Sequence, residues 1–173
     1  SNTNIVSIGF KHEGFPTKDW FVTNIMLGIL STGPESILHR LLIDTGKASS
    51  VDGAIELTSE TNLGLLSVTL AEGQTHNEIE SLVLNSFKAL DAKTISPLLK
   101  KAKAGILTDE MFARQHSLRI AQELTEYVSS GQWEVYARTP EILKSITTKD
   151  ILDSIKKNFE ENNLTIGYFV GKN

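Results

Sequence analysis

One segment, residues 27–51, constrains the fold of this chain more than any other. It reads LGILSTGPESILHRLLIDTGKASSV, with Gly28 inside an apolar stretch and Gly33-Pro34 between two helical patterns. Proline fits the first turn of a helix, and glycine readily adopts the conformation that ends one. The segment therefore predicts two antiparallel helices that pack through small residues, with Gly46 ending the second helix directly before a strand.

Alternating apolar residues predict four strands elsewhere in the chain. Residues 4–10 begin the chain as a strand, and residues 48–57 and 64–71 form a hairpin with a polar connection. Residues 164–170 alternate in the same way and form a closing strand.

Helical spacing and capping residues predict the remaining elements. The predicted helices cover Asp19–Leu30, Glu35–Thr45, Thr75–Asp91, Ser96 to about Val128 with a break at Gly105, Pro140–Lys144, and a final helix that begins at Thr147. Trp133–Ala137 is predicted to be a non-helical passage. The resulting order, β-αα-ββ-αα-α-β, predicts an α+β fold, with a largely antiparallel sheet and helices packed on one face. We expect a single domain over residues 1–173.

Composition excludes several classes of function. The 17 basic and 21 acidic residues are spread along the chain, so the sequence has no basic stripe of the kind that binds nucleic acid. The absence of cysteine excludes disulfides, thiolate zinc sites and a cysteine nucleophile. No apolar run reaches the ~20 residues of a membrane span. We expect neither nucleic acid nor a membrane as a partner. Because the chain starts with Ser-Asn, we expect it to be a piece of a longer protein.

Two of the four histidines have a carboxylate four residues away. Glu35 with His39, and His76 with Glu80, could each present two metal ligands from one helix. Solvated pairs of this spacing are common on helix surfaces, and no third ligand is evident. We interpret both as surface pairs. The alternative is an independent enzyme that uses His39 or His76 with nearby carboxylates.

Three further side chains are candidates for ligand contact. Arg40 lies in the middle of a predicted helix beside the small-residue segment, where it either faces solvent or points into a cavity. Trp133 and Tyr136 either anchor the interior or line a groove, since both have an apolar body and a polar group.

The order of several short motifs resembles a known family. They are the strand of residues 4–10, the pattern Leu27-Gly28-x5-Pro34-x-Ser36-x-Leu38-x-Arg40-x-Leu42, the run Gly46-Lys47-Ala48-Ser49-Ser50-Val51, and later Ala102-Lys103, Thr147-x-x-Asp150-Ile151 and Asn163-Leu164-Thr165-Ile166-Gly167. In this order they resemble the C-terminal, non-zinc domain of the insulinase/pitrilysin-type zinc metallopeptidases, which include mitochondrial processing peptidase.

This resemblance implies a division of labour between two homologous halves. One half carries zinc on an inverted His-x-x-Glu-His motif, and the other half encloses the peptide substrate. The inverted motif is absent here, so zinc is expected in another domain or subunit and not in this chain. The expected partners are that zinc-bearing half, a peptide substrate and, in a homodimer, a second copy of the chain.

The resemblance also bears on catalysis by this half. Many active relatives place an Arg and a Tyr near the scissile carbonyl, within Leu-Arg-x-x-x-Gly-x-x-Tyr, and these positions fall on Leu42 and Ser49. We therefore expect no catalytic residue in this chain, and we predict substrate contacts from Arg40, Ser49, Trp133 and Tyr136. The alternative function is a non-catalytic structural or interaction subunit of a heteromeric complex. Bacterial relatives with similar sequences favour the periplasm over the cytoplasm.

Overall fold

The computed structural model describes residues 3–171, and over these residues it forms a four-stranded sheet. The strands are β1 (Ile5–His12), β2 (Ala48–Ala54), β3 (Asn62–Leu70) and β4 (Leu164–Phe169). Their order across the sheet is β2-β3-β1-β4, and every neighbouring pair is antiparallel. The predicted strands and the antiparallel sheet are therefore confirmed.

The two faces of the sheet differ in burial because side chains alternate along each strand. On one face, β1 and β3 present a fully apolar, buried row that comprises Val6, Ile8, Phe10, Leu66, Val68 and Leu70. The outer face carries exposed side chains such as Lys11, Leu63 and Leu65. The helices pack on the buried face, as predicted.

Six helices and two short helical turns are present in residues 3–171. They are α1 (Lys18–Ser31), a π-helical turn (His39–Ile43), α2 (His76–Lys88), α3 (Ala92–Ala113), α4 (Ser117–Ser129), α5 (Trp133–Ser145), α6 (Thr148–Asn158) and a 3-10 turn (Glu161–Asn163). Helices α1, α2 and α6 contact the sheet, α3 packs on α1 and α6, and α5 packs on α3 and α4. Within the same residues, no helix combines the length and the apolarity needed to cross a bilayer.

The predicted long helix differs from the structure at both its start and its break. It begins at Ala92, not Ser96, because Asp91 caps it by accepting a 2.8 Å hydrogen bond from the Thr94 amide. The predicted break at Gly105 is wrong, since α3 continues through this residue to Ala113. A glycine inside a helix costs only about 1 kcal/mol, which the packing of α3 on α1 and α6 readily offsets.

The predicted passage at 133–137 is also wrong, because these residues form the first turns of α5. Tyr136, Thr139 and Leu143 recur at helical spacing and give the helix one buried or half-buried face. The Thr139 and Tyr127 hydroxyls are 2.8 Å apart, which ties this face to α4. Tertiary packing thus stabilises a helix where the local sequence gave only a weak helical pattern.

Candidate peptide-binding surface

The segment between α1 and β2 carries two of the predicted contact residues. Its helical part is shorter than predicted and is π-helical over His39–Ile43, where the Asp44 amide bonds the His39 carbonyl at 3.0 Å. Gly46 has a φ of 70°, and the Lys47 amide bonds the Leu42 carbonyl at 2.7 Å. This is the glycine-dependent helix ending that the sequence predicts. It turns the chain directly into β2.

Arg40 and Ser49 lie on neighbouring elements, since the π-helical turn packs against β2. A register irregularity between Ala48 and Ser50 sets Ser49 out of the regular pairing with β3. Ser49 is exposed, and its hydroxyl donates a 3.4 Å hydrogen bond to the Thr69 carbonyl. Arg40 is exposed as well. Both residues are therefore accessible to solvent on elements that contact each other.

A groove of about 510 Å³ opens beside this segment, between α1 and α3. Its lining includes Gly28 of α1 and Gly105 of α3, and a Cβ atom added at either position would meet nothing within 4 Å. An ion pair between Glu35 and Lys101 joins the 33–36 turn to α3 at the groove. The hydrogen bond and the charge of Lys101 lower the pKa of the Glu35 carboxyl. The groove has room for a side chain of an extended ligand.

Trp133 and Tyr136 lie in a different part of the fold. Trp133, at the start of α5, is 57% exposed and does not anchor the interior. The Tyr136 ring is half-buried, 5.4 Å from the ring of Tyr127, with the Arg114 guanidinium 5.2 Å from its centre. The four predicted contact residues thus form two groups, one on β2 and the π-helical turn and one on α5.

An aromatic pocket of about 210 Å³ lies between α1, α4 and α5, and the sequence did not indicate it. Phe15, Trp20 and Tyr127 contribute to its wall, and the rings of Phe15 and Tyr127 are 4.6 Å apart. Burial raises the pKa of Tyr127 to about 12, and nearby glutamates, Glu110 foremost, add to the rise. Residues 15 and 127 are too far apart in sequence for any periodicity to connect them.

The raised pKa of Tyr127 predicts a loss of stability at alkaline pH. The protonated phenol favours the folded state, so its contribution is complete below the unfolded pKa of about 10 and is lost as pH rises towards 12. We expect Tyr127→Phe to remove about 1 to 2 kcal/mol of the decline in unfolding free energy between pH 9 and 11, as measured by urea denaturation of both proteins. An equal or steeper decline in the variant would contradict the assignment.

The two histidine–carboxylate pairs do not converge on metal sites. His39 Nδ1 lies 3.3 Å from Asp44 Oδ1, whereas Glu35 pairs with Lys101. His76 Nε2 lies 3.0 Å from the Phe169 carbonyl, and Glu80 accepts a hydrogen bond from the Tyr168 hydroxyl. In residues 3–171, no group of three or more histidines, aspartates and glutamates is placed to hold a metal ion.

Comparison with solved structures identifies the fold. The chain superposes over 99% of its length on the inactive peptidase domain of a candidate zinc protease from Bordetella parapertussis, with a TM-score of 0.86, 18% identity and 92% of that chain covered. This chain has the fold of a processing-peptidase-like half domain. The half domain also matches a protease from Helicobacter pylori with a TM-score of 0.87 and 15% identity. This match covers 99% of the half domain and 42% of the Helicobacter pylori chain.

A third match to the half domain is a chain of complex III2 from Candida albicans. It has a TM-score of 0.74 and 14% identity, over 97% of the half domain and 43% of that chain. No family model matches the sequence, and no curated protein sequence matches it significantly. The likeness is therefore one of structure.

Leu42 and Ser49 occupy the positions at which the resemblance implies an arginine and a tyrosine. Leu42 is fully buried in the core of the half domain. Ser49 has a short side chain that reaches no farther than its neighbouring strand. Neither residue can donate a hydrogen bond from a long side chain to a substrate carbonyl, as the family's arginine and tyrosine would.

Proposed function

We propose that this chain is the substrate-enclosing, non-zinc half domain of a zinc metallopeptidase. The observation that carries the proposal is the match to an inactive peptidase domain over nearly the full length of both chains. Zinc bound in the other half would activate water for peptide hydrolysis. The present half would hold the peptide and form part of the chamber wall.

The β2 edge suits an extended peptide. Among residues 3–171, β2 has a neighbouring strand on one side only, so it offers backbone hydrogen-bond groups to an added strand. Ser49 and Arg40 are exposed at this end of the sheet. The 510 Å³ groove is lined by the 33–36 turn, which comes shortly before Arg40 in the sequence. Backbone pairing would make recognition depend on an extended shape more than on a particular sequence. Trp133 and Tyr136 would contribute only if the peptide also reached α5.

We place the zinc-bearing half on the outer face of the sheet. Leu63 of β3 and Phe169 of β4 on this face are 55% and 56% exposed, and Leu65 of β3 is 40% exposed. Exposed apolar side chains on one face of a sheet mark an interaction surface. A homologous domain packed there would bury them while leaving the helical face unchanged.

The proposed function is tested by reconstitution with the zinc-bearing half, which is the domain or subunit of the same organism that carries a His-x-x-Glu-His motif. We expect no hydrolysis of quenched fluorescent peptides by this chain alone, and hydrolysis when both halves are mixed. We expect Arg40→Ala to lower kcat/KM of the mixture by about three- to tenfold, because a charge-assisted hydrogen bond contributes roughly 1 kcal/mol or more.

Arg119→Ala is the matched control for the arginine substitution, since Arg119 lies on α4 and pairs with Glu123 there. It should leave kcat/KM unchanged. Hydrolysis by this chain alone, with about one tightly bound zinc per chain, would refute the proposal. Unchanged kinetics for Arg40→Ala would remove Arg40 from the peptide-binding surface.

The second candidate function is that of a structural subunit. Its support is the match to a chain of complex III2 from Candida albicans. A fold does not fix a function, so the same half domain could serve assembly alone. Two results together would favour this function. The zinc-bearing half would hydrolyse peptides in isolation, and its stable complex with this chain would hydrolyse none.

A further inference from the structure

Strand β4 is an edge strand without the usual protection. Its sequence, LTIGYF, has no charge and no proline, and it pairs with β1 in unbroken register. Natural edge strands are commonly protected against pairing by charges, bulges or covering elements. The opposite edge, β2, carries Asp52 and a register irregularity between Ala48 and Ser50, so a second copy of the sheet would pair less regularly there than at β4.

Alternate residues of β4 direct unused backbone groups away from the sheet. The Leu70 amide bonds the Asn4 carbonyl at 2.9 Å, so every second residue of β1 counted from Asn4 faces β3. The β1 residues between them face β4, where their partners include Thr165 and Gly167. The backbone groups that face away from β1 are those of Leu164, Ile166 and Tyr168. Within residues 3–171 these groups have no neighbouring strand.

A groove of about 1020 Å³ runs along this edge, on the helical face of β4. Its apolar lining comes from α2, the end of α6 and β4, and comprises Leu84, Phe87, Ile155, Phe159, Leu164 and Ile166. A strand added to β4 would point every second side chain into this groove.

Helix α2 runs antiparallel to β4 beside the groove. Near its start, Glu80 accepts a hydrogen bond from Tyr168. Near its end, the Phe87 ring lies 4.4 Å from the ring of Phe159, which in turn contacts the ring of Phe10. Phe10 pairs with Leu164, so the end of α2 lies near the start of β4. Glu80 and Lys88 are eight residues apart in α2, about 12 Å, and Leu164 and Tyr168 are about 13 Å apart in β4. The spacing of these residues along the helix therefore matches the spacing along the strand.

We propose that β4 pairs antiparallel with β4 of a second copy of this chain, joining two sheets across a two-fold axis. An axis beside Ile166 places Ile166 opposite Ile166 of the second copy and Leu164 opposite Tyr168. Each such pair exchanges two backbone hydrogen bonds, so the free groups of all three residues are used in both copies. Gly167 lies beside the axis on the outer face of the sheet, where an added Cβ would meet nothing within 4 Å in its own chain.

The charge pattern of α2 favours a second copy over an unrelated strand. Glu80, Leu84 and Lys88 follow one another at intervals of four residues and all line the groove. Rotation about the two-fold axis reverses this row, so Glu80 of each copy meets Lys88 of the other and the two Leu84 side chains meet near the axis. An isologous interface requires this kind of self-complementarity. The pairing leaves the β2 edge free and does not depend on the proposed peptidase function.

The oligomeric state of the 173-residue chain in solution tests the proposal. We expect sedimentation equilibrium to show a monomer–dimer equilibrium in the micromolar to millimolar range. Gly167→Lys should weaken the dimer at least about tenfold, because it places two like charges beside the axis. Ala54→Lys, which adds the same charge to the exposed β2 edge, should leave the dimer constant unchanged.

A charge exchange separates specific pairing from a general loss of structure. Lys88→Glu should weaken the dimer about three- to tenfold by opposing Glu80 of the second copy, and the double variant Glu80→Lys with Lys88→Glu should restore it. Thermal unfolding of each variant checks that it is folded. A chain that remains monomeric at all concentrations overturns the proposal. So does a dimer that is insensitive to Gly167→Lys or that is not restored by the charge exchange.

Discussion

Alanine in place of Gly64 is expected to destabilise the half domain by about 3 kcal/mol. Gly64 of β3 lies opposite Phe10 of β1 on the buried face of the sheet. A Cβ at this position would overlap the Cζ and Cε2 atoms of the Phe10 ring. This ring is buried and lies 5.0 Å from the ring of Phe159, so it cannot move aside without disturbing α6.

The matched control is the same substitution where the space is open. Gly105 lies inside α3, and an added Cβ would meet nothing within 4 Å. Gly105→Ala should therefore stabilise the fold by about 0.5 to 1 kcal/mol, through the higher helix propensity of alanine. Urea denaturation followed by circular dichroism measures both changes. Equal effects at the two positions would show that the Phe10 contact is not what requires glycine at position 64.

Aspartate in place of Asn158 is expected to cost about 3 kcal/mol at pH 7 and much less near pH 4. Asn158 of α6 is fully buried, and its Nδ2 donates to the Ser154 hydroxyl at 2.9 Å and to the Thr23 hydroxyl at 3.3 Å. The two hydroxyls can turn to donate to a carboxylate, but a buried carboxylate still loses its hydration. The substitution keeps the size of the side chain and changes chiefly its charge.

The sign of the pH dependence follows from the shift in pKa. Burial raises the folded-state pKa of the introduced carboxyl above its unfolded value of about 3.9, so the loss of stability grows as pH rises through that range. Denaturation of the variant and the natural protein at pH 4 and pH 7 gives the difference at each pH. Asn24→Asp, at an exposed position of α1, should stay within about 0.5 kcal/mol of the natural protein at both. A cost for Asn158→Asp that is the same at both pH values would contradict the argument.

Local signals in the sequence were sufficient for elements whose ends are fixed by one or two residues. Gly46 ends its helical turn as predicted, and Thr147 and Asp150 form a reciprocal cap at the start of α6. The start of α3 differs from its prediction because the Asp91 cap precedes Ser96-Pro97, which is the more common type of start signal. The first turns of α5 have no strong local signal because the helical face is completed by Tyr127, on another helix.

The candidate binding surface was less predictable than the fold. Arg40 is a candidate from its position in a predicted helix and Ser49 from the resemblance, and the structure places them on neighbouring elements. The aromatic pocket at Tyr127 and the groove along β4 were not predicted, since each combines residues from elements far apart in the chain. Such sites depend on how distant segments of the chain pack together, and no short sequence motif shows this.

The sequence by itself determined the strands, the starts of α1, α2 and α6, the antiparallel α+β architecture and the lack of the inverted zinc motif. These properties depend on local periodicity, caps and residue identity, all of which can be read over a few residues. Only the tertiary structure decided which edge of the sheet is unprotected, which glycine lies against an aromatic ring and which asparagine is fully buried. Those properties depend on which distant segments meet, because burial and backbone pairing are set by the neighbours a residue acquires on folding.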